Sequence, residues 1–301
     1  VSEALPWKPR FEEEQMLGGE VQAITMARTF FGRTYFDVRC FVVGNTLVDT
    51  GLASLRSRLI ALANERQIQR AVVTHHHEDH SGNVEHLRSA GMSVAMSQPT
   101  AKILQAGFNL RLYQHLAWGK VPTIKGDVEI LETTTPLGPY EAKVYAAPGH
   151  CVDQVVFYIP SEGWLFSGDA FLHEKTAAFR ADEDWDASLR SLRALVALDF
   201  DSLQAQLVNF AELRRFCAHR PKLKGGKAAL LQKLKWFEEI EQQVLYQRGL
   251  GLSVAQIAKN TFGLRGRSHQ YVTFGDLSAQ NLVSSILHGP VHRRDMTQLE
   301  T

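Results

Sequence analysis

No stretch of this chain approaches the roughly 18 consecutive apolar residues that a membrane-spanning helix needs. The opening residues, Val1-Ser2-Glu3-Ala4, lack the basic-then-apolar pattern of a secretory signal. Cysteine is scarce. Three residues in 301 (Cys40, Cys151 and Cys217) make no disulfide framework and read as small buried hydrophobes of a cytoplasmic protein. An excess of either charge is also missing, since 33 Lys and Arg against 32 Asp and Glu leave a net charge of +1. That balance excludes a broadly electrostatic nucleic-acid binder, though not a local basic site. No internal repeats or low-complexity segments appear, and no serine or cysteine sits in a recognisable nucleophilic triad. The bulk composition, 45% hydrophobic and 22% charged, is ordinary for a soluble globular enzyme.

Against this plain background one stretch stands out, Thr74-His75-His76-His77-Glu78-Asp79-His80-Ser81-Gly82-Asn83. It follows the apolar run Ile68 to Val73, which reads as a buried strand. Imidazole nitrogens and a carboxylate on so rigid a support suit zinc or a similar divalent ion. Alternation along an extended backbone puts His75 and His77 on one side, with His76 and Glu78 turned away. The tight turn that follows can bring Asp79 and His80 round a second ion. Further along, Pro148-Gly149-His150, Ser167-Gly168-Asp169 and Cys217-Ala218-His219 each end a strand-like run, and Asp49-Thr50-Gly51 forms an early turn.

Taken together over residues 20 to 220, these pieces resemble the metallo-β-lactamase fold superfamily, and within it the glyoxalase II-like and lactonase-like hydrolases. The resemblance implies a first metal site of His75, His77 and His150. It implies a second of Asp79, His80 and His219, with Asp169 bridging the two ions. His219 departs from the usual pattern, because Ala218 and Arg220 stand where the family often has glycine. The implied cofactors are two divalent ions, zinc first, with iron or manganese as alternatives. A histidine at 77, where the iron-dependent oxidoreductase branch commonly has glutamate, favours hydrolysis. The implied catalysis is attack by a hydroxide shared between the ions, oriented by Asp79, on an ester, thioester or lactone. Two other readings stay open: a phosphodiesterase or ribonuclease using the same two ions, and a non-catalytic regulator that keeps the metal fold.

The rest of the chain is predicted to form an αββα sandwich of two mixed sheets flanked by helices over 1–220, and a helical extension over 221–301. Residues 1–19 read as an exposed polar lead-in. Gly44-Asn45 marks a hairpin turn, and Ala53–Glu65 and Trp185–Leu198 have the spacing of helices. Val128–Leu131, Ala142–Ala147, Gln154–Ile159 and Trp164–Phe166 read as strands of the second sheet. The helical segment from Pro99 to Trp118 falls where a lid or substrate-binding insertion would be placed, with core packing as the simpler explanation. From Arg214 to Lys235 there are eight basic residues and no acidic one. Lys222, Lys224 and Lys227 are therefore candidate contacts for an anionic small-molecule substrate, with His173 as a further pocket residue. No membrane or nucleic-acid partner is expected, and a homodimer is compatible with the sequence.

Overall fold

The computed structural model describes residues 7–16, 19–30, 33–200, 202–205, 225–263 and 273–290. These form two compact units. The first comprises Val1–Ala146, Asp153–Leu172 and Phe200–Lys224, and the second Ala147–Val152, His173–Asp199 and Gly225–Thr301.

The first unit is built on two mixed sheets. Its seven-stranded sheet runs in chain order through β1 (Trp7–Met16), β2 (Val21–Phe30), β3 (Arg33–Val43), β4 (Thr46–Val48), β5 (Arg70–Val72), β6 (Ser93–Met96) and β7 (Glu129–Ile130). The first three pairings are antiparallel, and β4 to β7 are parallel. The five-stranded sheet contains β8 (Thr134–Leu137), β9 (Tyr140–Ala146), β10 (Val155–Ile159), β11 (Trp164–Gly168) and β13 (Ser202–Ala205), in the order β13-β11-β10-β9-β8.

Alternation along the strands explains the layering. Cys40, Val42, Ala71, Val73, Val94 and Met96 face one way and join Leu59, Leu62, Leu87 and Leu104 in a core against helices α1 (Arg56–Glu65), α2 (Val84–Ser89) and α3 (Gln98–Ala106). Their neighbours Phe41, Val43, Val72 and Ala95 face the other way, onto Leu137, Ala142, Val155, Phe157 and Phe166 of the second sheet. A period of two thus gives each central strand two buried faces.

Three expectations need correction. Much of the polar lead-in is strand β1, paired with β2 from Trp7↔Phe30 to Met16↔Val21. It is an edge strand, where charges such as Glu12, Glu13 and Glu14 guard an open ladder, so its charge hid it. Val128–Leu131 supplies β7, which extends the first sheet beside β6 and not the second. Strand β8 went unread because Thr133-Thr134-Thr135-Pro136 looks like a loop, yet proline is tolerated on an edge. The predicted hairpin at Gly44-Asn45 is present, with Gly44 at φ 56°.

The segment after β6 divides at Gly107 into α3 and α4 (Leu112–Ala117). Ile103, Leu104 and Trp118 are buried, whereas Leu112 and Leu116 are exposed.

The second unit contains α5 (Trp185–Val196), α6 (Gly226–Gly249), α7 (Val254–Phe262), α8 (Ala279–His288) and the short pair β12 (Phe179–Arg180) and β14 (Leu277–Ser278). Asp184, Ser253 and Ser278 cap three of these helices by accepting from the backbone N–H groups of Ala187, Gln256 and Asn281. Trp185 stacks on Phe237 with ring centroids 4.2 Å apart. The α/β class with C-terminal helices read from the sequence is the one observed. No helix among the described residues is long and apolar enough to cross a membrane.

Candidate metal centre

Strand β5 ends at Val72, and the chain then folds into a tight turn held by its own backbone. His80 and Ser81 both donate to the His77 carbonyl, at 2.9 and 2.8 Å. The Asp49-Thr50 turn clamps this loop from the other side. Thr50 N donates to the His80 carbonyl at 2.7 Å, and Asn83 Nδ2 donates to the carbonyls of Thr50 and Leu52. The two loops approach so closely that a Cβ on Gly82 would lie 2.5 Å from the Gly51 carbonyl oxygen and 2.6 Å from that of Glu78. Only glycine fits there.

Asp49 is the hub. It sits at φ 59°, a left-handed conformation uncommon outside glycine but tolerated by a short polar side chain. Its fully buried carboxylate accepts from Thr74 N and Thr74 Oγ1, both at 2.7 Å, and faces His80 Nδ1 at 2.9 Å. That contact turns His80 Nε2 towards Asp169 Oδ1 at 3.3 Å and Asp79 Oδ2 at 3.7 Å. His80 Nε2 is buried and has no hydrogen bond of normal geometry. Asp169 comes from the end of β11, where Gly168 at φ 49° lets the backbone pass Thr74.

One donor atom each from His75, His80 and Asp169 lie within 4.8 Å of one another, all three side chains being buried. The 3.3 Å between His80 Nε2 and Asp169 Oδ1 lies within what two ligand bonds of about 2.0–2.2 Å permit. His77 lies beside them, its Nδ1 3.0 Å from His75 Nε2. Two nitrogen-bearing rings and a carboxylate converging on a buried point, with one ring locked from behind by a second carboxylate, fit a divalent ion such as zinc.

The electrostatics carry the same demand for positive charge. Burial pushes the Asp79 carboxyl up to about 7, with Glu78 and Asp169 adding to the rise and His80 opposing it. Burial alone would lower His80, but Asp169, Asp79 and Asp49 outweigh it and hold the ring well above its ordinary value. Both groups therefore bind protons more tightly folded than unfolded. Their contribution to stability is greatest at low pH, and it falls as pH rises from the ordinary Asp value of 3.8 through about 7 and beyond. A bound cation replaces those protons. Metal-free protein is thus expected to lose thermal stability between pH 5 and pH 8 relative to the metal-loaded form. Parallel Tm profiles for the two forms would show that the cluster is not where the ion sits.

The intervening residues are held by partners of their own. His76 donates its backbone N–H to Asp153 Oδ2 at 2.8 Å, and its Nδ1 lies 2.7 Å from Asp153 Oδ1. Glu78 is buried and accepts from Gln114 Nε2 of α4 at 2.7 Å, so the 99–120 segment reaches the loop that carries the cluster. The sequence reading missed the roles of Asp49, Asp153 and Gln114, which act across gaps of 25, 77 and 36 residues. Only the Asp-x-Gly turn hinted at the first.

His75, His77, Asp79, His80 and Asp169 thus gather in the first unit. His150 and His173 belong to the second. There, Gly149 passes so close to α5 that a Cβ would lie 2.5 Å from Ser188 Cα, and His150 Nδ1 is 3.5 Å from Glu183 Oε2. His173 Nδ1 is 3.6 Å from Glu174 Oε2. Lys227, at the start of α6, lies 3.8 Å from Asp199. His219, Lys222 and Lys224 lie outside the described residues, as does Cys217.

Comparison with known proteins places these features in company. The sequence profile of the metallo-beta-lactamase superfamily matches residues 33–203. A hydroxyacylglutathione hydrolase of Rhodobacter capsulatus is 35% identical over 107 residues, which cover 35% of each chain. An atrochrysone carboxyl ACP thioesterase of Aspergillus terreus is 27% identical over 151 residues, covering 47% of this chain and 37% of that one. The chain therefore spans well under two thirds of these curated relatives. Among solved structures, a metallo-beta-lactamase from Pontibacter korlensis superposes with a TM-score of 0.58 at 19% identity, over 76% of this chain and 99% of that one. At that identity the likeness shows the fold.

Proposed function

The chain belongs to the metallo-beta-lactamase superfamily, and from that premise we propose that it is a two-metal hydrolase of acyl bonds, with thioesters preferred over oxygen esters and lactones. The observation that carries the reading is the buried convergence of His75, His80 and Asp169, with His80 locked from behind by Asp49. His75, His77 and His150 are the proposed holders of one ion, and Asp79, His80 and His219 of the other, with Asp169 shared. Bound there, zinc, or iron or manganese in its place, supplies a Lewis acid for the carbonyl and lowers the pKa of water towards neutrality.

The chain's own residues do the remaining work. Asp79 accepts a hydrogen bond from the attacking water and orients it. Water adds to the carbonyl carbon and gives up its proton to solvent, the acyl–sulfur bond breaks, and the sulfur departs as thiolate, which takes a proton from solvent. With a pKa near 8.5, a thiol leaves without a dedicated general acid. The relatives support the choice of bond, one being named for hydrolysing an acylglutathione and the other being named a thioesterase. Lys222, Lys224 and Lys227 are proposed to meet an anionic part of the substrate, His173 is proposed as a pocket residue, and 221–301 is proposed as a helical extension that carries specificity.

A panel of thioesters, oxygen esters, lactones and phosphodiesters tests the reading on metal-loaded protein. Thioesters are expected to give the highest kcat/KM. A phosphodiester as the best substrate would replace acyl chemistry with phosphoryl chemistry, and no turnover of any class would leave a regulator.

A further inference from the structure

The residue between two of the proposed metal-holding histidines carries its own orienting carboxylate. Asp153 begins the segment that leads into β10, and its side chain is fully buried. One oxygen accepts from the His76 backbone at 2.8 Å and from Thr100 Oγ1 at 2.7 Å, and the other faces His76 Nδ1 at 2.7 Å. Thr100 lies in the first turn of α3. The N-cap of that helix, Ser97, donates to the Asp153 carbonyl at 3.1 Å. Asp153 therefore joins three segments of the first unit at one point, and the His76 ring cannot rotate without breaking a charge-assisted hydrogen bond. Phe108 packs edge-on against the same ring, with centroids 5.2 Å apart.

A histidine that donates Nδ1–H to a carboxylate presents a bare Nε2, which accepts hydrogen bonds. His76 Nε2 makes no hydrogen bond among the described residues, and 15% of the His76 side chain reaches solvent. Its ring centroid lies only 4.6 Å from that of His77. A histidine needed only for packing would not require a buried carboxylate to fix its ring.

We propose that His76, held by Asp153, is a substrate-binding residue whose Nε2 accepts a hydrogen bond from a hydroxyl or amide N–H close to the scissile carbonyl. The role rests on the acyl-hydrolase reading for its setting. It selects among acyl groups by the donor they carry, which metal ions do not do. Asp153 is a positioning residue that acts through His76.

Two thioesters of 3-mercaptopropionate that differ by one hydroxyl, the S-lactoyl and the S-propionyl, test the role. The wild type is expected to favour the S-lactoyl ester by about tenfold in kcat/KM, the scale of one hydrogen bond to an otherwise unpaired acceptor. His76→Phe keeps a ring against Phe108 but removes Nε2, and should bring the ratio within about twofold of one. Asp153→Asn should do the same. Nitrogen-15 spectra of wild-type protein should show His76 as the Nδ1–H tautomer. Binding of the matching ketone isosteres, in which CH2 replaces sulfur, reads the same preference without turnover. Failure to hydrolyse either thioester would therefore sink the acyl-hydrolase reading alone. Equal binding of the two isosteres by wild type, an Nε2–H tautomer, a preference that survives His76→Phe, or loss of metal from that variant would each overturn the role of His76.

Discussion

Asp169→Ala is expected to lower kcat/KM on a thioester by about a thousandfold while leaving the metal-free fold intact. Asp169 is the one carboxylate among the three donors that converge within 4.8 Å, and its Oδ1 is 3.3 Å from the buried His80 Nε2. A metal centre contributes several kcal/mol of transition-state stabilisation, and each 1.36 kcal/mol is a factor of ten in rate. A loss of about 4 kcal/mol therefore corresponds to about a thousandfold. In metal-free protein Asp169 both repels Asp79 and attracts the buried His80 ring, so its removal has opposing effects on stability and the decisive readouts are rate and metal content. Kinetics within tenfold of wild type would mean that this carboxylate takes no part in holding the ions.

Asp49→Asn is expected to weaken metal binding by about 10- to 100-fold, the usual cost of losing a partner that orients a ligating histidine. Asparagine tolerates the left-handed backbone at this position and keeps the size of the side chain. It cannot accept equally from Thr74 N, Thr74 Oγ1 and His80 Nδ1, and one of those donors will face an amide N–H. Asp49→Ala should be worse, because it strands three buried donors at about 1–3 kcal/mol each and removes a side chain suited to positive φ. Competition with a chromophoric chelator gives the affinity and denaturant melts give the stability. An unchanged affinity in Asp49→Asn would show that His80 needs no orientation from behind.

How much of this was legible in the sequence follows from where the interacting residues lie. The cluster from His75 to His80 is contiguous, so period-two alternation was enough to separate His75 and His77 from His76. The hairpin at Gly44-Asn45 is equally local, and its turn residues mark it directly. Strands β1 and β8 escaped because edge strands carry charge or proline that central strands reject. The sheet to which β7 belongs could not be read, because its partner β6 lies more than 30 residues upstream in the chain. Asp153 carries no local signal in the sequence. Its importance appears only when folding brings it to His76 and Thr100.

Metal stoichiometry against activity bears most directly on the central claim. Protein purified without chelator is expected to carry two equivalents of a divalent transition metal and to lose thioesterase activity on chelation. Activity should return fully only as the second equivalent is restored. A chain that binds no more than a trace of metal, or that hydrolyses thioesters undiminished after chelation, would contradict a two-metal centre built on His75, His77, Asp79, His80 and Asp169.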